Sequence, residues 1–151
     1  MKLRVVWIGK NKSMADVCGD FGQRIRHFIP LDVIEIKDPR VANEKKRIEA
    51  EGEKILASVG RTDFVVALDP AGQSYSSRTF SEFLDRHMSE NPRDIVFVVG
   101  GFGGLSVGVK ERADLLWSLS GLTFSHDLAR AVLLEQVYRA LSIINHHPYA
   151  R

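Results

Sequence analysis

The segment IVFVVGGFGGLS at residues 95–106 decides the fold class, because a wholly apolar run leads directly into four glycines within five positions. A short strand without polar positions is typical of a parallel sheet that helices cover on both faces. Phe64–Leu68 is also wholly apolar, Leu3–Ile8 (LRVVWI) is typical of a buried strand, and Leu31–Ile36 alternates apolar and polar residues. The sequence therefore predicts strands at 3–8, 31–36, 64–68, 95–99 and 115–119.

Helical segments separate these strands. Ser13 is expected to cap a helix that reaches about Phe28, and Asn43 to cap one that Gly60 ends. Further helices are expected over residues 77–88 and 125–144, and Asp69–Gly72 (DPAG) is typical of a turn. The alternation predicts one α/β domain over residues 1–151, with a mostly parallel sheet and helices on both faces.

Ligands of such sheets bind outside the carboxyl ends of the strands, which here are residues 68–74, 100–106 and 119–125. The glycine loop is no Walker A motif, because Val109 stands where the lysine belongs, and Ser106 breaks the dinucleotide-binding pattern. A ligand loop is favoured over a structural turn, since one turn needs fewer glycines. Trp117–His126 (WSLSGLTFSH) suits a flat, weakly polar group such as adenine, or is simply a strand entering a helix.

Composition excludes several classes of protein. The chain has 151 residues, 44% hydrophobic and 26% charged, which allows one core and excludes a disordered chain. No apolar run approaches the roughly 20 residues of a membrane span, and the N-terminus lacks a secretory signal. A single cysteine, Cys18, excludes a disulfide framework and a multi-cysteine metal site. We therefore expect a cytoplasmic protein with no membrane anchor and no metal.

Charge is distributed unevenly along the chain. Residues 1–61 carry 13 Lys and Arg against 9 Asp and Glu, whereas residues 62–151 carry 8 against 10. A basic half can meet a phosphate backbone, although an ordinary solvated surface has the same composition. The residues expected to reach phosphates are Lys10, Lys12, Arg24 and Arg26.

The C-terminus, Asn145–Arg151, concentrates two histidines, a tyrosine and an arginine after an apolar helix. A frayed tail and an active-site tail are both consistent with this composition. The preceding helix carries apolar residues beyond one stripe, which suggests cover by a second copy of the chain, as a homodimer, or burial against its own sheet. The stripe comprises Leu128, Ala131, Leu134, Tyr138 and Leu141, and the residues beyond it are Val132, Leu133, Val137 and Ile144.

Five segments in this order resemble the ribosomal RNA large subunit methyltransferase H family of the SPOUT methyltransferases. They are LDPAG at 68–72, GGFGGLS at 100–106, LSGLTFSH at 119–126, EQVYRA at 135–140 and HPYAR at 147–151. The resemblance implies methylation, dependent on S-adenosylmethionine, of the N3 nitrogen of a pseudouridine in helix 69 of 23S rRNA. It also implies a homodimer and a C-terminal trefoil knot, which no spacing in the sequence indicates. Two other functions remain open. The first is a ribosome-associated RNA-binding module without catalysis, and the second is a flavodoxin-like protein that binds phosphate or flavin.

The resemblance also implies site residues. The cofactor contacts are Leu68, Gly100, Leu119, Ser120, Gly121, Leu122, Thr123 and Phe124. By residue type His147 is the candidate base, Arg139 or Arg151 would hold the uracil anion or a phosphate, and Tyr149 would stack on the base. The chain departs from some members at Ala150, where they have a histidine, and at Gly103, where they have an acidic residue.

Overall fold

The computed structural model describes residues 1–150, in which five strands alternate with five helices. The strands are β1 (Leu3–Ile8), β2 (Leu31–Ile36), β3 (Phe64–Ser74), β4 (Ile95–Val99) and β5 (Leu115–Ser118). The helices are α1 (Ala15–Arg26), α2 (Glu44–Ala57), α3 (Ser77–Glu90), α4 (Val107–Arg112) and α5 (His126–Ile144). No helix within residues 1–150 is both long enough and apolar enough to cross a membrane.

The five strands form one sheet in the order β2-β1-β4-β3-β5, and every neighbouring pair is parallel. This confirms the predicted parallel sheet. Strand β4 lies at its centre, between β1 and β3, and all five of its residues are buried. Because β3, β4 and β5 are adjacent, the strand ends that the sequence singled out lie at one edge.

Helices cover both faces of the sheet, as predicted. In β4, Phe97 faces the core shared with α1, α3 and α5, whereas Val96 and Val98 face the core shared with α2 and α4. β1 alternates in the same way, with Trp7 on the first face and Val6 on the second. The period of two along each strand thus divides the apolar residues between two cores, which explains why no position of β4 is polar.

The predicted turn at Asp69–Gly72 is wrong. β3 pairs with β5 up to Leu68, bulges outward, and pairs again at Gln73 and Ser74. A Cβ on Gly72 would lie 2.6 Å from the backbone carbon and oxygen of Leu116, so only glycine permits this close approach of the two strands.

Two further local expectations fail. Ser13 does not cap α1, whose N-cap is Met14; instead its N–H and Oγ donate to Asp127 Oδ2, at 3.0 and 2.8 Å. The helix α4 was not expected, although Ser106 caps it by accepting from the Val109 N–H. The predicted cap at Asn43 is confirmed.

Helix α5 packs against both α1 and α3 of its own chain. Leu133 and Val137, which lie beyond the apolar stripe, are 0% and 1% exposed within a single chain. The width of the apolar surface is therefore explained without a partner chain, and it no longer argues for a dimer.

The contact at Gly72 gives a test of the fold. Gly72→Ala is expected to lower the free energy of unfolding by about 1–3 kcal/mol, because its Cβ would press on rigid backbone. Gly19→Ala is the matched control, since nothing lies within 4 Å of its Cβ inside α1, and it should be neutral or stabilising by up to about 1 kcal/mol. Urea denaturation measures both, and equal stability of the two variants would contradict the role of Gly72.

Candidate cofactor cavity and C-terminal tail

A cavity of about 510 Å³ opens where the carboxyl ends of β3, β4 and β5 meet. Its volume is in the range of small-molecule sites. Of the eight residues expected to contact a cofactor, seven line it: Leu68, Gly100, Leu119, Ser120, Leu122, Thr123 and Phe124. Gly121 belongs to the same loop but does not line the cavity. The structure thus places residues from three separate strand ends around one space.

The walls of the cavity are largely apolar, with Leu68, Leu119 and Phe124 contributing side chains. Trp117 also lines it, and its indole stacks on Phe80 with 4.2 Å between ring centroids. The buried Nε1–H of Trp117 has no hydrogen-bond partner within residues 1–150. The sequence had not singled out Trp117 as a site residue, although it opens the segment at 117–126.

The glycines of the loop are explained by its packing and backbone conformation, which the sequence could not reveal. A Cβ on Gly100 would lie 2.8 Å from Leu105 Cδ2, and one on Gly101 would lie 2.8 Å from Glu51 Oε2. Gly103 and Gly104 have φ of 97° and 93°, which favours glycine at both positions. The number of glycines therefore reflects the packing of the loop, while the position of the loop makes it a wall of the cavity.

Helix α2 supports the loop from outside the cavity. Glu51 is 4% exposed, and burial raises the pKa of its carboxyl group. Arg47 Nη2 donates to the carbonyl oxygen of Phe102, at 3.2 Å. The loop is thus held between α2 and the sheet.

His126 and Arg130 form a polar group at the start of α5, where His126 also lines the cavity. Burial, followed by the neighbouring charge of Arg130, lowers the pKa of His126, so its imidazole is neutral at pH 7. Arg130 is 2% exposed; it donates to the carbonyl oxygen of Ile8 and pairs with Asp127 at 3.4 Å. Arg130 therefore connects the end of β1 to α5.

The C-terminal tail folds back over α5. Tyr149 Oη donates to Glu135 Oε1 at 2.9 Å, and Arg139 donates to the same oxygen from Nε at 3.0 Å and from Nη2 at 2.6 Å. The guanidinium of Arg139 lies 5.1 Å from the centroid of the Tyr149 ring. Two candidate catalytic residues are thus joined through Glu135, which the sequence analysis did not select although it begins the segment at 135–140.

His147 packs against Phe28 and Tyr138, with ring centroids 6.0 and 6.3 Å away. None of the tail residues 145–150 lines the cavity, and Glu135 lies nine residues along α5 from His126, about 14 Å. The structure therefore does not bring the candidate catalytic residues to the cavity within one chain. Arg151 lies outside the described residues.

The four basic candidates fall into two places. Lys10 and Lys12 are exposed in the loop after β1, which Ser13 ties to the start of α5 beside the cavity. Arg24 and Arg26 lie at the end of α1, where Arg24 pairs with Asp20 and its guanidinium is 5.7 Å from the Tyr138 ring centroid. One pair is therefore near the cavity and the other near the tail. Within residues 1–150 no cluster of three or more His, Cys, Asp or Glu is arranged to hold a metal ion.

The family model described as "Predicted SPOUT methyltransferase" matches residues 1–150. The chain belongs to the SPOUT methyltransferases. Relatives named "Ribosomal RNA large subunit methyltransferase H" match it over its whole length, which confirms the narrower family that the five segments indicated. The relative from Porphyromonas gingivalis is 40% identical over 154 residues, covering 99% of this chain and 98% of that one. The relative from Trichlorobacter lovleyi is 37% identical over 151 residues, covering 99% of each.

Solved structures share the fold. A probable methyltransferase from Bordetella pertussis aligns with a TM-score of 0.55 at 16% identity, over 93% of this chain and 94% of that one. A probable methylase family protein from Haemophilus influenzae has the same TM-score of 0.55 at 10% identity, over 99% of this chain and 70% of that one. At these identities the likeness concerns the fold alone.

The contacts of Glu135 give a test of the tail. Burial, and then the bond to Glu135 and its charge, raise the pKa of Tyr149. Glu135→Gln is therefore expected to lower that pKa, so that Tyr149 ionises at lower pH than in the unmodified protein. Ultraviolet titration measures tyrosinate, and subtracting the curve of a Tyr149→Phe variant in each background isolates this residue.

Glu53→Gln is the control, because it removes an equal charge at an exposed position of α2. A Tyr149 titration that is the same in all three proteins would show that the tail does not dock on α5 in solution.

Proposed function

We propose that this protein is an S-adenosylmethionine-dependent RNA methyltransferase that methylates N3 of a pseudouridine in helix 69 of 23S rRNA, within the large subunit or the assembled ribosome. The observation that carries the proposal is the single cavity at the carboxyl ends of β3, β4 and β5, lined by residues from three of the five family segments. Family membership and the names of the relatives support the reaction class and the ribosomal substrate. The proposal includes a cytoplasmic location.

The cavity suits the cofactor by its chemistry. Its apolar walls, which include Leu68, Leu119 and Phe124, suit the flat surface of an adenine. Leu68, Gly100 and the loop at 119–124 would hold the cofactor. S-adenosylmethionine bound there would supply an activated methyl group, carried on a positively charged sulfur, for transfer to N3.

The residues of the tail would supply the remaining chemistry. N3 of the base carries a proton and lies between two carbonyl groups, so it must lose that proton before its lone pair can attack. His147 would accept the proton, because an imidazole can take up a proton near neutral pH. Arg139 would stabilise the negative charge on the carbonyl oxygens, and Arg151 is the second candidate for this role. Tyr149 would hold the base by stacking or by its hydroxyl.

The separation of the tail from the cavity supports a homodimer in which one chain supplies the cavity and its partner the tail. In such a dimer the partner's tail would lie over the cavity beside Leu122, which is 73% exposed at its rim. The C-terminal trefoil knot remains a prediction from the family resemblance.

Complementation of cells that lack the protein tests the proposed reaction. Mass mapping of helix 69 is expected to show loss of one methyl group, and the unmodified protein should restore it. Gly100→Ala should restore it poorly and bind S-adenosylmethionine about tenfold more weakly by calorimetry, because its Cβ would press on Leu105 and Gly104.

Gly108→Ala, whose Cβ would meet only an ordinary contact at 3.6 Å, is the control and should restore methylation fully. Retained methylation in the deleted cells would overturn the assignment, and RNA binding without methyl transfer would favour the non-catalytic module.

Mixed dimers test the shared site. A cavity variant, Gly100→Ala, and a tail variant, His147→Ala, should each have reduced activity, and mixing them under conditions of subunit exchange should raise it. Sedimentation of the free protein should give twice the 17.0 kDa of one chain. A single species near 17.0 kDa would contradict the dimer. No recovery of activity despite proven subunit exchange would show that each active site lies within one chain.

A further inference from the structure

We infer that Phe102, at the rim of the cavity, is the platform on which an unpaired RNA base stacks. The inference rests on the proposed RNA substrate and adds a residue that lies within a family segment but is not among the expected site residues. Phe102 is 73% exposed and also lines the cavity, so its ring stands between the cavity and solvent. A large aromatic side chain in this position costs solubility and contributes no core packing.

The neighbours of the ring favour a nucleic acid. The guanidinium of Arg47 lies 5.9 Å from the ring centroid, and its Nη2 bonds the Phe102 carbonyl oxygen, so the ring is held in place. His126 meets the ring edge at 6.1 Å, with an interplanar angle of 74°. An aromatic face flanked by a cation is typical of sites that bind single-stranded RNA by stacking.

Charge around the rim favours the same class of partner. Lys45 and Lys46 are exposed in the first turn of α2, the helix whose Arg47 holds the loop, and Lys10 and Lys12 are exposed at the same edge of the sheet. None of these four lysines forms an ion pair within residues 1–150. Two acidic side chains lie against the loop: Glu44 beside Gly103, and the buried Glu51 beside Gly101. Cations that lack carboxylate partners are available to phosphates.

A buried cofactor does not account for the ring. A ligand within the cavity is enclosed by Leu68, Leu119 and Phe124, whereas most of the Phe102 surface faces solvent. The other aromatic candidate, Tyr149, already contacts the Tyr138 ring at 4.7 Å and the Arg139 guanidinium at 5.1 Å. Phe102 is therefore the aromatic group at the cavity that has a free surface for a base.

Binding measured without cofactor tests the inference separately from methylation. The probes are a fluorescein-labelled single-stranded oligouridylate and a labelled chain of equal length made of abasic ribose phosphates, and the readout is fluorescence anisotropy. Phe102→Leu is expected to weaken oligouridylate binding about tenfold and to leave abasic binding unchanged, because it removes the stacking surface alone. Phe102→Tyr, which keeps an aromatic ring, should bind within about twofold of the unmodified protein.

Val107→Ala is the matched control, because Val107 is 71% exposed on α4 and does not line the cavity. Unchanged oligouridylate binding by Phe102→Leu overturns the inference, and so does an equal loss with the abasic chain. Dissociation of a dimer by Phe102→Leu, seen by sedimentation, would instead assign the ring to an interface between chains. If helix 69 proves unmethylated, the proposed function is wrong, whereas the oligouridylate and abasic measurements still decide whether Phe102 binds a base.

Discussion

The contact of Gly72 with the backbone of β5 determines where the wall of the cavity lies. Since Gly72 has no Cβ, β3 can leave the sheet after Leu68 and rejoin it at Gln73. The residues that bulge out between these points include Asp69 and Pro70, which line the cavity. Asp69 also accepts the Ala71 N–H at 2.9 Å and pairs with Lys110 at 3.3 Å, so the bulge is fixed to α4. Strand β3 therefore both pairs with β5 and forms part of the wall of the cavity.

The strands could be predicted from the sequence because burial on both faces leaves a local signature. In β4 each residue touches one of two cores, so every position must be apolar, and the run ends where the strand ends. The DPAG segment has no such signature. Its composition suits a turn, and only the presence of β5 beside it makes it a bulge. Ser13 is a similar case, since its spacing suits a cap while its actual partner, Asp127, lies 114 residues away.

The glycine loop has a different structural basis from the one that its composition suggests. Four glycines in five positions favour close approach of a ligand, yet Gly101 faces the carboxylate of Glu51 and Gly100 faces Leu105 within the loop itself. What the sequence does predict is where the loop lies, because a loop that follows a central buried strand must emerge at the carboxyl edge of the sheet. Sequence reasoning did not select Trp117, His126 and Glu135, because a contact with the cavity or with the folded-back tail leaves no local signature in the sequence.

Charge distinguishes the two parts of the proposed site. Around the cavity, His126 is held neutral by burial and by Arg130, and Arg130 is itself used to bond the carbonyl oxygen of Ile8. Arg130 is therefore not a free cation, and burial makes the imidazole of His126 a weaker base. The tail carries a second imidazole, His147, and a second guanidinium, Arg139, but Glu135 pairs with Arg139 and accepts the hydrogen bond of the Tyr149 hydroxyl. For Arg139 to stabilise a uracil anion, a second negative charge must compete with Glu135 for the guanidinium, and a base held between the cavity of one chain and the tail of another would bring such a charge.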